Sequence, residues 1–300
     1  MSRVLSVIFG PGFFSSAPVH IALSVGALAA IVAGIVGTFT VLRGQSFAGE
    51  ALGDIGTTGG SGAYLVGIGP LWGFLVAGLA AAAVMEGIGI QRARGRDLAT
   101  GVVLGGALGL AALFLYLTTT STSTTGATVT ILFGSAFSTP SSTIPLALAL
   151  AAVSVALVAV LYRPLLLSSV SPELAAARGI PVRLIGALYL IALAVTVALS
   201  AITIGTILST ALLVGPAATA LRLTKSPGRA LLSAATCGLA AMWIGIVLAY
   251  DSFHWPPKHT GWPISFFVVT LILVFYLLSG VPEMVRRRRA NRSDAPATAA

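Results

Sequence analysis

Apolar residues fill this chain in stretches of about twenty, separated by short polar turns. Nine stretches stand out, near residues 19–42, 47–68, 70–90, 98–118, 143–162, 183–201, 203–222, 230–250 and 264–281. A helix of such length crosses a hydrocarbon core roughly 30 Å thick. The second stretch is the weakest, because EALGDIGTTGGSG is polar and glycine-rich. It qualifies as a span only if other protein surrounds it, since irregular backbone cannot face lipid. The pattern predicts an all-α polytopic transmembrane bundle over residues 1–281, with nine spans, or eight if two of them merge into one broken helix. Residues 282–300 read as a polar tail, disordered past its basic start at Arg286.

Composition strengthens this picture. Hydrophobic residues make up 57% of the 300 and charged residues only 8%, with a mean hydropathy of +1.00. A soluble domain covers its surface with about a quarter charged residues. The net charge of +9 could suggest a nucleic-acid partner. The basic residues lie in short loops between apolar stretches instead of on one polar face, which excludes nucleic acid and points to membrane orientation. With Arg43 inside, alternation of nine spans places Arg92, Arg94, Arg96, Arg163, Arg178, Arg183, Arg222, Lys225, Arg229, Arg286–Arg289 and Arg292 on the same side. Of 17 basic residues, Arg3 and Lys258 alone fall outside. The expected topology therefore has the N-terminus out and the C-terminus in the cytoplasm. The short run VLSVIFG after Arg3 ends at Pro11 without a good cleavage site, so no processing is expected. Cys237, the single cysteine, excludes an intrachain disulfide and a zinc–thiolate cluster.

The outer face would carry a Ser/Thr-rich loop between Thr118 and Thr143, and the segment DSFHWPPKHTGW at 251–262, rich in aromatics suited to a membrane interface. No GxxxxGK[ST] phosphate loop occurs, and Lys225 and Lys258 are the only lysines. The chain therefore cannot hydrolyse ATP by P-loop chemistry; it is no enzyme, and any ATPase must be a separate subunit. The inner loop SPELAAARGIPVR, within 171–183, reads as a short helix. Ser171 and Pro172 start it, Glu173 favours its first turn, and Gly179 with Pro181 ends it. Such a knob could fit a groove on a soluble partner, or be a plain surface turn.

That loop resembles the coupling-helix loop of the zinc and manganese ABC permeases, typically Asp/Ser-Pro-Glu-x-Ala-x-x-x-Gly-Val. GTILSTALLVGPAATALRL, residues 205–223, is similar to the family's VGxLLVxALLVxPAATA span. RDLATGVVLGG from Arg96 resembles its REDxAIGxxF segment, and ILFGS at 131–135 its LFGDIL segment. VLRGQSFAGEALGDIGTTGGSGAYLVG from Val41 resembles VLRRMSFxGDALSHAxLPGxAxAYLLG. These matches run in family order from about residue 17 to 281, and on them the chain is identified as a member of the ABC-3 family of zinc, manganese and iron permeases. The resemblance implies a type II ABC importer permease in a bacterial cell membrane, working as a homodimer. Two cytoplasmic ATPase subunits would bind the ATP, and an external metal-binding lipoprotein would deliver the ion. A divalent metal would be the cargo, with no cofactor in this chain. It also implies that the loop around Glu173, Ala175, Arg178 and Gly179 docks on the ATPase.

The second stretch carries the candidate chemistry. Glu50 and Asp54 are four residues apart, so on a helix they share a face about 6 Å apart at Cβ. Two intramembrane carboxylates repel unless a cation or proton lies between them. A divalent-cation pathway supplies one; a hydrogen-bonded pair near the inner interface is the structural alternative. Glu50 stands where the family has Asp, Asp54 where it has His, and Thr57-Thr58-Gly59 where it has Leu-Pro-Gly. An all-oxygen site leans towards manganese or ferrous iron over zinc. Glu86, near the inner end of the third stretch, is expected to snorkel or cap a helix. His254, His259 and Asp251 are expected in a docking surface for the delivery protein, and His20 among headgroups. Gly101, Gly105 and Gly109 form GxxxGxxxG, with intrachain packing the expectation and a dimer contact the alternative. Pro216 removes one backbone bond and is expected to kink the seventh span beside the pathway. Two rivals stay open: the same architecture for a non-metal substrate, and a proton-driven secondary transporter with Glu50, Asp54 and Glu86 as its relay.

Overall fold

Every regular element in the computed structural model, which describes residues 12–88, 97–121, 126–134, 136–255 and 261–293, is helical. Of residues 88, 97–103, 121 and 282–293 the backbone alone is described. Eleven α-helices follow in order among the described residues: α1 (Ala17–Leu42), α2 (Ser46–Leu65), α3 (Pro70–Ile88), α4 (Asp97–Ser121), α5 (Gly126–Phe133), α6 (Thr143–Val170), α7 (Pro172–Ala177), α8 (Val182–Ile204), α9 (Thr206–Leu223), α10 (Pro227–Ser252) and α11 (Ile264–Ser293). The long ones coincide with the nine apolar stretches. Seven of them, α1, α3, α6, α8, α9, α10 and α11, are long and apolar enough to cross a membrane. To these α4 adds the shorter apolar section Leu104–Thr120. The remaining long helix, α2, is the polar one.

Three segments differ from the sequence expectation. Between Thr118 and Thr143 the chain is not an open loop: α4 runs to Ser121, the apolar run ATVTILF forms most of α5, and a 3-10 turn spans Ala136–Ser138. At the other end of α6 the helix passes through Pro164 to Val170 and leaves one residue, Ser171, before α7. Likewise α11 stays helical to Ser293, well past 281.

Lipid tails are as apolar as leucine, so close packing, more than hydrophobic burial, holds such a bundle together. The centre is α1 and α8: α8 packs on α1, α3, α6 and α9, and α1 also on α9 and α10. Phe39, Tyr189, Leu193 and Leu199 are fully buried there. Small residues set the spacing. A Cβ on Gly37 of α1 would run into the Leu213 carbonyl of α9, and one on Gly34 would meet the α10 backbone at Ala234 and Ala235. In the same way Gly59 of α2 and Gly73 of α3 lie backbone against backbone.

A single residue, Gly205, joins α8 to α9, at φ 85° and ψ 165°, a conformation essentially reserved for glycine. Its backbone abuts the Leu132 carbonyl, and the Thr206 hydroxyl donates to the Ile131 carbonyl at 3.4 Å. The end of α5 is thereby fastened over the α8–α9 turn, which is buried beneath it. The other end of the bundle holds the C-terminus of α1, the α6–α7–α8 connection and the α9–α10 turn. It carries Arg43, Arg163, Arg178, Arg183, Arg222, Lys225 and Arg229, and is called the basic end below.

Candidate functional site

Polar as it is, α2 is surrounded by α3, α4, α8 and α9, which meets the condition for a span that lipid would reject. Its glycines let these neighbours approach: Gly49 abuts the Leu213 side chain, Gly53 faces the Ser209 hydroxyl, and Gly60 lies on the Phe74 ring. Three hydroxyls in its middle are satisfied. Thr57 donates to the Gly53 carbonyl at 2.9 Å, Ser61 to Thr58 at 3.1 Å, and Thr58 across to the Ala107 carbonyl of α4 at 2.6 Å.

Glu50, Asp54, Thr57 and Ser61 recur at i, i+4, i+7 and i+11, one stripe of a helix. The stripe has two halves. Thr57 and Ser61 are buried, in the part of α2 nearer α5. Asp54 is half-buried and Glu50 exposed, in the part nearer the basic end. Their charges act on each other, and neither carboxylate has a hydrogen bond or ion pair among the described residues. No group of three or more His, Cys, Asp or Glu is assembled among the described residues, so one chain offers two carboxylates and no complete ligand set.

Two spaces border α2, neither of them lined by a residue of this stripe. A cavity of about 300 Å³ lies at the end away from the basic residues, lined among others by Tyr64, Phe74, Thr130, Ser138, Thr139 and Thr143. Its lining is rich in hydroxyls and contains no charge. On the other side of Phe74, a crevice between α2, α3 and α8 is packed shut by Leu52, Ala194, Val197 and Ala198, without room for a water molecule.

Caps at both ends shape the short helix α7. The Ser171 hydroxyl accepts the Leu174 N–H at 3.3 Å, Pro172 occupies the first helical position, and Glu173 sits in the first turn. At the far end the Gly179 N–H reaches the Ala176 carbonyl at 2.9 Å and the Ile180 N–H the Ala175 carbonyl at 3.0 Å. This is a Schellman closure with Gly179 at φ 76°. Glu173, Leu174, Arg178 and Gly179 are exposed, whereas Ala175 is fully buried and holds the helix to the bundle.

The other candidates are scattered. Glu86 lies on α3, and no hydrogen bond joins it to Glu50 or Asp54 among the described residues. Pro216 is buried against Gly238 of α10, and α9 runs unbroken through it. Gly105 and Gly109 face open space, so the expected intrachain contact on this motif is not made there; Gly101 lies outside the residues whose surroundings are described. His254 donates its backbone N–H to Asp251, next to an aromatic group of Trp255, Trp262, Phe266 and Phe267; His259 lies outside the described residues. His20 donates through Nε2 to the Phe14 carbonyl at 2.8 Å.

One feature at the basic end has no single-residue signature in the sequence. The Tyr189 hydroxyl, fully buried on α8, pairs with the Thr40 hydroxyl of α1 at 2.6 Å and reaches the Val36 carbonyl at 3.2 Å. Over its ring, at 5.3 Å, stacks the guanidinium of Arg43. Arg43 also donates through Nη1 to Ser168 of α6 at 2.9 Å and through Nε to Gln45 at 3.3 Å.

Residues 17–279 match the profile described as the ABC 3 transport family. The manganese transport system membrane protein MntC of Listeria innocua is 31% identical over 224 residues, 73% of this chain and 77% of that protein. The manganese import system permease protein ScaB of Streptococcus parasanguinis is 29% identical over 221 residues, 74% of this chain and 78% of that protein. Among solved structures, PsaBC from Streptococcus pneumoniae in complex with Fab superimposes with a TM-score of 0.77 at 26% identity, covering 93% of this chain and 95% of that one.

Proposed function

The chain belongs to the ABC 3 transport family, and from that premise we propose that it is the membrane-spanning permease of an ATP-driven importer for divalent metal, with manganese as its ion. Two carboxylates with no ion-pair partner among the described residues, on the polar and glycine-rich α2, are the observation that supports the assignment. An intramembrane carboxylate costs about 2.5–3.5 kcal/mol by insertion scales. A passing divalent cation offsets that cost and the repulsion within the pair. All the donors are oxygen, which favours a hard ion such as manganese over zinc.

The site is incomplete in one chain. A second copy, related by a two-fold axis along the exposed side of α2, would cover the stripe and bring four carboxylates to one pathway. The basic end faces the cytoplasm on the strength of its arginines. There α7 presents Glu173, Leu174, Arg178 and Gly179 to a separate ATPase subunit, with Ala175 as the anchor behind them. The hydroxyl-lined cavity at the other end then opens towards an external delivery protein.

The test is manganese uptake by proteoliposomes holding this chain with its co-purified ATPase. Uptake should require ATP and the delivery protein. Uptake driven by a proton gradient alone would overturn the assignment in favour of a secondary transporter.

A further inference from the structure

Arg43 stands where the α7 loop, the bundle core and the carboxylate helix meet. Ser168, its partner on α6, is three residues before Ser171, the N-cap of α7. Tyr189, whose ring it covers, lies about two turns into α8, the helix that follows α7. One side chain therefore grips both flanks of the loop. On α3 the Glu86 carboxylate attracts the same guanidinium.

Its backbone is tied just as firmly to α2. Gly44, at φ 64°, allows a Schellman turn in which the Gly44 N–H reaches the Val41 carbonyl at 3.1 Å and the Gln45 N–H the Thr40 carbonyl at 2.9 Å. Gln45 in turn accepts the Gly49 N–H at 3.2 Å, the first bond of α2. No slack separates Arg43 from the turn that bears Glu50. The fork of an arginine and its flat, stackable face suit such a node, because one group can make two directed hydrogen bonds and a ring contact together.

We propose that Arg43 is a positioning residue that transmits movement of the α7 loop to the Glu50–Asp54 face of α2, and so couples ATP hydrolysis to release of the ion. This rests on the importer function proposed above. Displacing α7 shifts Ser168 and Tyr189 together, and the guanidinium they share carries that shift through the rigid turn at Gly44 into α2.

The experiment measures manganese transported per ATP hydrolysed by the reconstituted permease–ATPase complex. Arg43→Gln should assemble and keep near wild-type basal ATPase, yet move roughly tenfold less manganese per ATP. Arg43→Lys keeps the charge but loses the fork, and should recover only part of the ratio. Ser168→Ala deletes the α6 contact alone and should lower the ratio about threefold without touching the arginine. An unchanged ratio in Arg43→Gln would overturn the proposal, as would full rescue by Lys or a proportional fall of ATPase and transport together. If Arg43→Gln does not assemble, Ser168→Ala decides, and an unchanged ratio there overturns it. Absence of ATP-dependent uptake by the wild-type complex would instead refute the importer function itself, and the coupling role with it.

Discussion

Neutralising the carboxylate pair is the perturbation whose size can be worked out from the structure. At i and i+4 on α2, Glu50 and Asp54 sit about 6 Å apart at Cβ, so at an effective dielectric constant of about 20 they repel by about 3 kcal/mol. A divalent cation some 4 Å from each is attracted to each by about 8 kcal/mol on the same scale. Changing one acid to its amide therefore forfeits about 5 kcal/mol of gross attraction once the relieved repulsion is credited. Both groups are at least partly accessible in the single chain, and water screens much of this. If a third survives, the loss is about 1.7 kcal/mol, more than tenfold in occupancy of the pathway. Asp54→Asn and Glu50→Gln should each cut the initial rate of manganese uptake by about that factor at unchanged expression. The assay is proteoliposome uptake with the ATPase rate measured in parallel, so that a folding defect is visible. Asp54→His should retain activity and shift preference towards zinc, because imidazole is a good zinc donor. Wild-type uptake by the double amide variant would refute the pathway role of α2.

Three further outcomes follow from the packing and the caps. Gly37→Ala should destabilise the detergent-solubilised chain by about 1–3 kcal/mol, because its Cβ meets the Leu213 carbonyl, while Gly105→Ala, facing open space, should be neutral or slightly stabilising; thermal unfolding of the two variants checks the order. In a Cys237→Ala background, a cysteine at Ser141 should react with an impermeant thiol reagent in intact cells and one at Ser171 should not; the reverse pattern would invert the topology. Glu173→Lys, or a bulky residue in place of Gly179 at φ 76°, should weaken ATPase co-purification without lowering membrane insertion, and full retention of the complex would refute docking through α7.

The sequence was most readable where one rule acted alone. Nine apolar stretches became nine long helices, because chain length against bilayer thickness leaves little choice. The caps of α7 were equally plain, since Ser171, Pro172 and Gly179 act within one or two turns. Legibility failed where several partners had to be known at once. Ala175 belongs to the same short motif as Glu173 and Arg178, yet it faces the bundle, and only the packing of α7 on α6 and α8 decides that. The glycine stripe of α4 has the spacing of a helix contact, but Gly105 and Gly109 meet nothing in this chain, whereas Gly37 and Gly59, outside any such motif, are where backbones touch. The segment after α4 reads as a loop because threonine and serine dominate it; its seven-residue apolar core ATVTILF, which ends at Phe133 just before the Ala136–Ser138 turn, is the signal for α5. In the sequence Arg43 is one charge among the basic residues on which the expected orientation rests. Its partners Ser168 and Tyr189 are 125 and more residues away, and nothing local marks them. The charge expected to help orient the chain in the membrane is thus also placed to hold α7 and α2 in register, and a count of positive residues cannot separate those two uses. Replacing Arg43 by Lys separates them, since orientation needs only the charge and the node needs the fork.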